Sequence, residues 1–401
     1  MTSRAVLGLG GGVDYEVKLS APALEQLVDS YAIRSDELTT SSAVRTERDL
    51  VISMLAYIRQ GGGGEHFVAS AAALNDLARR FPERVTLGGT SVRAGLTMSR
   101  LGVPSTLHLV SLNRHVRELL PPACDYIGGG EEDTFYPHLI VQYPRGLQVR
   151  AGDIDLRAPF PNRLIYVNDP ANELLPISEE LGAALENAPV LLLSGLNAIR
   201  DPQVLARRLA TVRRHARRLP SDALVYYEDA AYHVPDFSRR VRNALADLID
   251  VYGLNEDEMQ THLGHSVDLL SVPDVHSALT ALRALVPVPT IVLHTKFWAA
   301  AIGERAAEYA DALDAGIVMA TTRYGFGDDY TDHDLEVVRH RPRQAESVRF
   351  AASLQAQMGA LVRCVPALDL EVADPTTIGL GDTFVGGFLA AACREAATTR
   401  T

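Results

Sequence analysis

The sequence predicts an α/β protein in which a largely parallel sheet is covered by helices on both faces. Short apolar, β-branched runs alternate with longer amphipathic stretches, and the order strand–helix–strand repeats along the chain. The composition agrees: 47% apolar and 22% charged residues over 401 positions are ordinary values for a globular protein. The short apolar runs place strands at 5–8, 106–111, 190–194, 224–227, 290–294 and 316–320. The amphipathic stretches place helices at 89–101, 202–219, 237–248, 299–312 and 382–395. Between about 16 and 165 the rhythm changes. Ser/Thr-rich and Gly-rich loops there separate strand-like runs at 138–143 and 147–150, as a small sheet inserted into the core would require. Residues 1–15 and 166–401 with parts of 50–125 are expected to form the large core, and parts of 16–50 and 126–165 the smaller lid.

Composition also excludes classes of function. No run reaches the roughly 18 apolar residues of a membrane helix, and the N-terminus has no signal-peptide pattern, so no membrane partner and a cytoplasmic location are expected. A formal charge of −12 argues against nucleic acid, whose phosphates call for a basic surface. Six arginines between Arg207 and Arg218 read as the solvated face of a helix. Cys124, Cys364 and Cys393 form no CxxC pair, which argues against a disulfide framework or a zinc site. Lys18 and Lys296 are the only lysines, which makes Lys296 a position to watch.

The strongest local signal is Thr376-Thr377-Ile378-Gly379-Leu380-Gly381-Asp382-Thr383, opening the last helix. The first turn of a helix exposes unpaired N–H groups, the dipole favours an anion there, and Gly379 and Gly381 allow a phosphate close to the backbone. Asp382 sits where it can take a proton from an incoming hydroxyl. An ordinary helix cap is the plain alternative for an isolated GxGD. Its position near the C-terminus of a long α/β chain, opening the last helix, resembles that of the same turn in ribokinase-like kinases, and the resemblance implies phosphoryl transfer. Gly8-Leu9-Gly10-Gly11-Gly12 lacks the spacing of a dinucleotide fingerprint. The runs His262-Leu263-Gly264-His265 and Asp332-His333-Asp334 lack a partner array for a metal.

Further segments fall in one order: Val13-Asp14 after the first strand, Gly88-Gly89 before a helix, 190–197 (VLLLSGLN), Tyr226-Tyr227-Glu228, Asn255-Glu256-Asp257-Glu258 and His294-Thr295. With the Gly379–Asp382 turn they resemble the ADP-dependent sugar kinases, the glucokinase and phosphofructokinase group of the ribokinase-like superfamily. The resemblance implies a three-layer α/β/α core with a smaller β-rich lid. It implies a kinase that passes the terminal phosphoryl of ADP to a sugar hydroxyl and releases AMP. By the resemblance, Asp14, Glu65, Gly88 and Gly89 bind the acceptor, with Glu65 tilting it towards glucose. Glu228 and Glu258 position Mg2+. Asn255, His294, Thr295, Val318 and Ile378 meet the nucleotide, the stretches 318–325 and 372–378 flanking adenine. Asp382 is the base, with Gly379, Leu380 and Gly381 as the anion hole. Two departures are notable: Tyr226 stands where HxE has its histidine, and Gly12 where the family commonly has Asn two residues before the aspartate. Another acceptor (a nucleoside, a sugar phosphate or a modified sugar), ATP as donor, or a non-catalytic sugar- or nucleotide-binding regulator are the competing readings.

Overall fold

Nine strands make one large sheet, in the order Val362–Pro366, Trp298–Gly303, Thr290–His294, Val251–Asn255, Leu224–Glu228, Val190–Leu193, Ala5–Gly8, Ser105–Leu109, Cys124–Gly128. All neighbours are parallel except the two pairs that involve Trp298–Gly303. The computed structural model describes residues 3–41, 43–81, 83–130, 133–372 and 375–399. Along Val190–Leu193, Leu191 and Leu193 enter one core while Val190 and Leu192 enter the other. A strand with apolar residues on both faces is stable only when both faces are covered. Helices Pro202–Ala216, Asp236–Leu245, Val272–Leu285 and Ala345–Met358 cover the first side, and Thr90–Arg100, Ala310–Phe326 and Leu380–Thr399 the second. The arginines of 207–218 lie largely on the outer face, where Arg213, Arg214 and Arg218 pair with Asp247, Glu179 and Glu186.

A second sheet of five strands runs Gly64–Phe67, Asn162–Val167, His138–Tyr143, Gly12–Lys18, Glu83–Gly88. Its side chains obey the two-residue period of strands. Leu164, Tyr166, Leu139, Val141 and Val17 pack into a third core under helices Ala21–Tyr31, Glu47–Gln60 and Ala71–Ala78. Asp14, Glu65, His138, Ile140, Arg163 and Ile165, in the alternate register, face a cleft. The Gly64–Phe67 and Glu83–Gly88 strands belong to this sheet, whereas Ser105–Leu109 belongs to the large one. No helix among the described residues is long and apolar enough to cross a membrane.

Two expected elements are exchanged. The helix expected at 299–312 is instead the strand Trp298–Gly303 followed by the short turn Ala306–Tyr309, and the strand expected at 316–320 lies inside the helix Ala310–Phe326. Alanine's helix preference is at most about 1 kcal/mol per residue, too small against burial between two strands. Trp298, Ala300 and Ile302 fill one core, Ala299 and Ala301 the other. Ile317 and Val318 are buried in that same second core, on a helix face.

Candidate functional site

A cavity of about 720 Å³ lies between the open face of the small sheet and the C-terminal ends of the large sheet's strands, where ligands of open α/β sheets bind. Residues from Ile378 to Asp382 form one wall. The helix Leu380–Thr399 begins there, and Thr383 bonds back to the Gly379 carbonyl through both N–H (3.0 Å) and hydroxyl (2.7 Å). Helical geometry leaves the first N–H groups without intrahelical acceptors, and they border the cleft. Gly379 takes φ +63°, and a Cβ there would stand 2.7 Å from Arg93 Cδ, so the turn and the arginine fit only with glycine. The Asp382 side chain faces the cleft, one quarter exposed, with Arg93 Nε 4.0 Å from Oδ2.

Beside this turn, two strand ends deliver acids and a third, Thr290–His294, a histidine. Glu228, last residue of its strand, accepts a hydrogen bond from His294 Nε2 at 2.9 Å, while its Oε2 lies buried beside the Tyr226 hydroxyl. Burial raises the Glu228 carboxyl above the usual range although His294 opposes it. Asn255 caps the helix Glu256–Leu263: its Oδ1 accepts from the N–H groups of Asp257 (2.8 Å) and Glu258 (3.0 Å), and Glu258 Oε2 accepts from Asn255 N (2.8 Å). The Asn–x–x–Glu spacing is therefore a capping box whose acid also faces the cleft. Burial, then the neighbouring Asp229 and Glu228, push the Glu258 carboxyl well above its ordinary value. His262, from a run whose sequence showed no metal-ligand array, holds Asp229 Oδ2 at 2.6 Å, and Asp229 Oδ1 is buried near the Tyr252 hydroxyl. Among the described residues no three metal-ligating side chains converge on one point. The buried Glu228, Asp229 and Glu258 carboxylates, gathered on one side of the cavity, instead suit a cation that keeps most of its water.

At the opposite end Asp14 is buried and paired with Arg93 at 2.8 Å; Arg93 also bonds Glu16 at 3.0 Å. Gly88 lies against this pair, since a Cβ there would fall 2.2 Å from both Asp14 carboxylate oxygens, and Gly89 caps the helix that carries Arg93. His138 bridges two acids, with Nδ1 3.7 Å from Asp14 and Nε2 3.1 Å from Asp169. Burial lowers the His138 pKa, but the Asp169 bond and the charges of Asp169, Asp14 and Glu65 outweigh it and push the value up to about 9. Glu65 accepts from His233 Nε2 at 2.6 Å, which joins the small sheet to the loop after Leu224–Glu228 across the cleft.

Asp14, Glu65, Gly89, Glu228, Asn255, Glu258, His294, Ile378, Gly379, Leu380, Gly381 and Asp382 thus share one cavity. The expected residues Gly88, Thr295 and Val318 stand apart from its lining, as does Lys296. Thr295 is consumed by the turn after its strand, donating to the Trp298 carbonyl and accepting from the N–H groups of Phe297 and Trp298. Val318 is buried in the core, and Lys296 lies over the Phe297 ring. In the stretch 372–378, Ala373 and Asp374 lie outside the described residues. Sequence reasoning missed Arg93, His138, Arg163, Asp169, Asn172 and His233. Arg163 and His138 carried a legible signal: a charged or polar residue on the alternate face of a strand otherwise apolar. Arg93 sits in the buried stripe of its helix, where an unpaired cation is costly.

Residues 3–387 match the model of the ADP-specific phosphofructokinase/glucokinase conserved region. No curated protein matches the sequence. Among solved structures, a hypothetical ADP-dependent phosphofructokinase from Pyrococcus horikoshii OT3 superposes with a TM-score of 0.76 at 17% identity, covering 100% of this chain and 99% of its own. An ADP-dependent kinase in complex with fructose-6-phosphate and ADPβS gives 0.73 at 14% identity, over 97% and 93%. An adenosine kinase from Sinorhizobium meliloti gives 0.52 at 12% identity, over 97% and 88%. The fold is the ribokinase-like three-layer α/β/α core with a second, smaller sheet.

Proposed function

The chain belongs to the ADP-specific phosphofructokinase and glucokinase family, and we propose that it transfers the terminal phosphoryl of ADP to a neutral, glucose-type sugar with Mg2+, releasing AMP. Family membership makes it a phosphotransferase with an alcohol acceptor. The observation that carries the finer reading is the joint exposure of Asp382 and the first-turn amides of its helix to the cavity that Asp14 enters from the other side. In this reading the acceptor hydroxyl lies between Asp14 and Asp382. Its oxygen forms the new bond to phosphorus, its proton passes to Asp382, and the old P–O bond breaks with its electron pair leaving on AMP. The amides of the 379–382 turn receive the charge on the transferred group, with Arg163 facing the same cavity. Glu228 and Glu258 would hold the hydration shell of Mg2+, which supplies charge screening on the phosphate oxygens. Asn255, His294 and Ile378 border the nucleotide. Asp14, Glu65 and Asp169 present three carboxylates at the acceptor end, each held by a cation or imidazole (Arg93, His233 and His138); carboxylate oxygens accept hydrogen bonds from sugar hydroxyls, which supports the glucose tilt.

The test measures AMP release from ADP and ATP with Mg2+ against D-glucose, D-fructose 6-phosphate and a nucleoside. ADP-dependent phosphorylation of glucose is expected. A preference for fructose 6-phosphate would overturn the acceptor assignment, and turnover only with ATP would overturn the donor.

A further inference from the structure

Gly12 leaves the acceptor end of the cavity without a side chain at the start of its strand, yet the space is not empty of polar groups. A Cβ on Gly12 would point to Asp169 Oδ2 at 3.7 Å and Asn172 Nδ2 at 3.9 Å. Both residues come from a different element, the cap and first turn of the helix Pro170–Leu174, and both line the cavity. Asn172 is locked onto the glycine loop. Its Oδ1 accepts from Gly11 N at 3.1 Å, and its Nδ2 donates to the Gly11 carbonyl at 3.3 Å and to Asp169 Oδ2 at 2.6 Å. The bare loop permits this approach, because a Cβ on Gly10 would fall 2.3 Å from Asn172 Oδ1. Asp169 Oδ1 accepts from Asn172 N at 3.1 Å, and Oδ2 also meets His138 Nε2 at 3.1 Å. Asp169, His138 and Asp14 therefore form a continuous carboxylate–imidazole–carboxylate edge along the acceptor end. A simple helix cap needs only the Oδ1 bond; the Oδ2 contacts tie the cap to the cavity wall.

We propose that Asp169 is a specificity-determining residue that accepts a hydrogen bond from an acceptor hydroxyl lying against Gly12, and that Asn172 is the positioning residue that fixes its carboxylate. The inference rests on the kinase reading of the cavity. It adds that the part of the acceptor beside Gly12 carries an uncharged hydroxyl, because the group nearest that position is the Asp169 Oδ2 carboxylate oxygen, which accepts hydrogen bonds and repels an anion placed directly against it.

The experiment measures steady-state AMP release with D-glucose and with D-fructose 6-phosphate for the native chain, Asn172→Ala, Asp169→Asn and the double variant Gly12→Asn/Asn172→Ala. In both single variants the acceptor KM should rise about ten- to a hundredfold, as loss of a charge-assisted hydrogen bond does, with the KM for ADP within about twofold. An amide restored from position 12 should recover much of the loss in the double variant. Melting temperatures screen for unfolding; should Asp169→Asn not fold, Asn172→Ala and the double variant, which keep the capping carboxylate, decide. A native chain that releases no AMP with either sugar refutes the kinase reading itself. A native chain that turns over, while the variants keep its acceptor KM or shift both KM values equally, overturns this inference alone.

Discussion

His138 shows how single charges set the behaviour of the acceptor end. Its pKa, pushed up to about 9 by Asp169, Asp14 and Glu65 against the opposing effect of burial, exceeds the ordinary value of about 6.5. A raised histidine stabilises the fold fully below the unfolded value, and the contribution disappears as pH climbs through the folded one. Stability should therefore fall between about pH 6.5 and pH 9, and His138→Asn should flatten that fall. Urea denaturation across this range measures it, and an unchanged slope in the variant contradicts the assignment. At this scale the sequence was legible where a residue belongs to a short local pattern. Asp382 and its glycines, and the Asn255–Glu258 pair, carry their geometry in three or four neighbouring positions. The Arg93–Asp14 pair, 79 residues apart, and the His138–Asp169 bridge depend on which strands become neighbours, which no local spacing encodes.

Among the elements, the alanine-rich strand Trp298–Gly303 is the most informative. Its sequence favours a helix by propensity, and only its place between two antiparallel partners makes it a strand. Short apolar runs at 5–8, 190–193 and 290–294 were readable because β-branched and leucine residues leave few alternatives. A run of alanines has no such signature, so tertiary burial decides. Small side chains here keep the sheet close to the helices on either face, and Ala300 is fully buried. Replacing Ala300 by Leu should destabilise the fold by about 1–3 kcal/mol through overpacking. Trp298, buried and donating to the Leu269 carbonyl at 2.7 Å, is the only tryptophan, and its fluorescence reports the unfolding transition directly. A variant as stable as the native chain would contradict the packing account.

At the scale of the molecule, two sheets meet around one cavity, and a few polar contacts span it. Glu65–His233 at 2.6 Å joins the small sheet to the large one, as does Arg84–Asp329 at 2.9 Å. The latter pair is largely exposed and contributes little, whereas the buried Arg93–Asp14 pair ties the helix Thr90–Arg100 to the small sheet; Glu65–His233 is the pair that crosses the cleft to the loop after Leu224–Glu228. His233→Ala should increase the radius of gyration in solution scattering without ligands, and ADP with sugar should reverse the increase; an unchanged radius would show that His233 does not hold the lobes together. The three-layer core was readable in the alternation of strands and helices. The small sheet was only partly so, because its five strands come from five separated segments between 12 and 167 and pair out of chain order. The central claim concerns what the shared cavity does. Its most direct test compares phosphoryl transfer from ADP by the native chain and by Asp382→Asn, with melting temperature as control. A fall in kcat of about a hundred- to ten-thousandfold at unchanged melting temperature is predicted, and a variant that turns over like the native chain would contradict it.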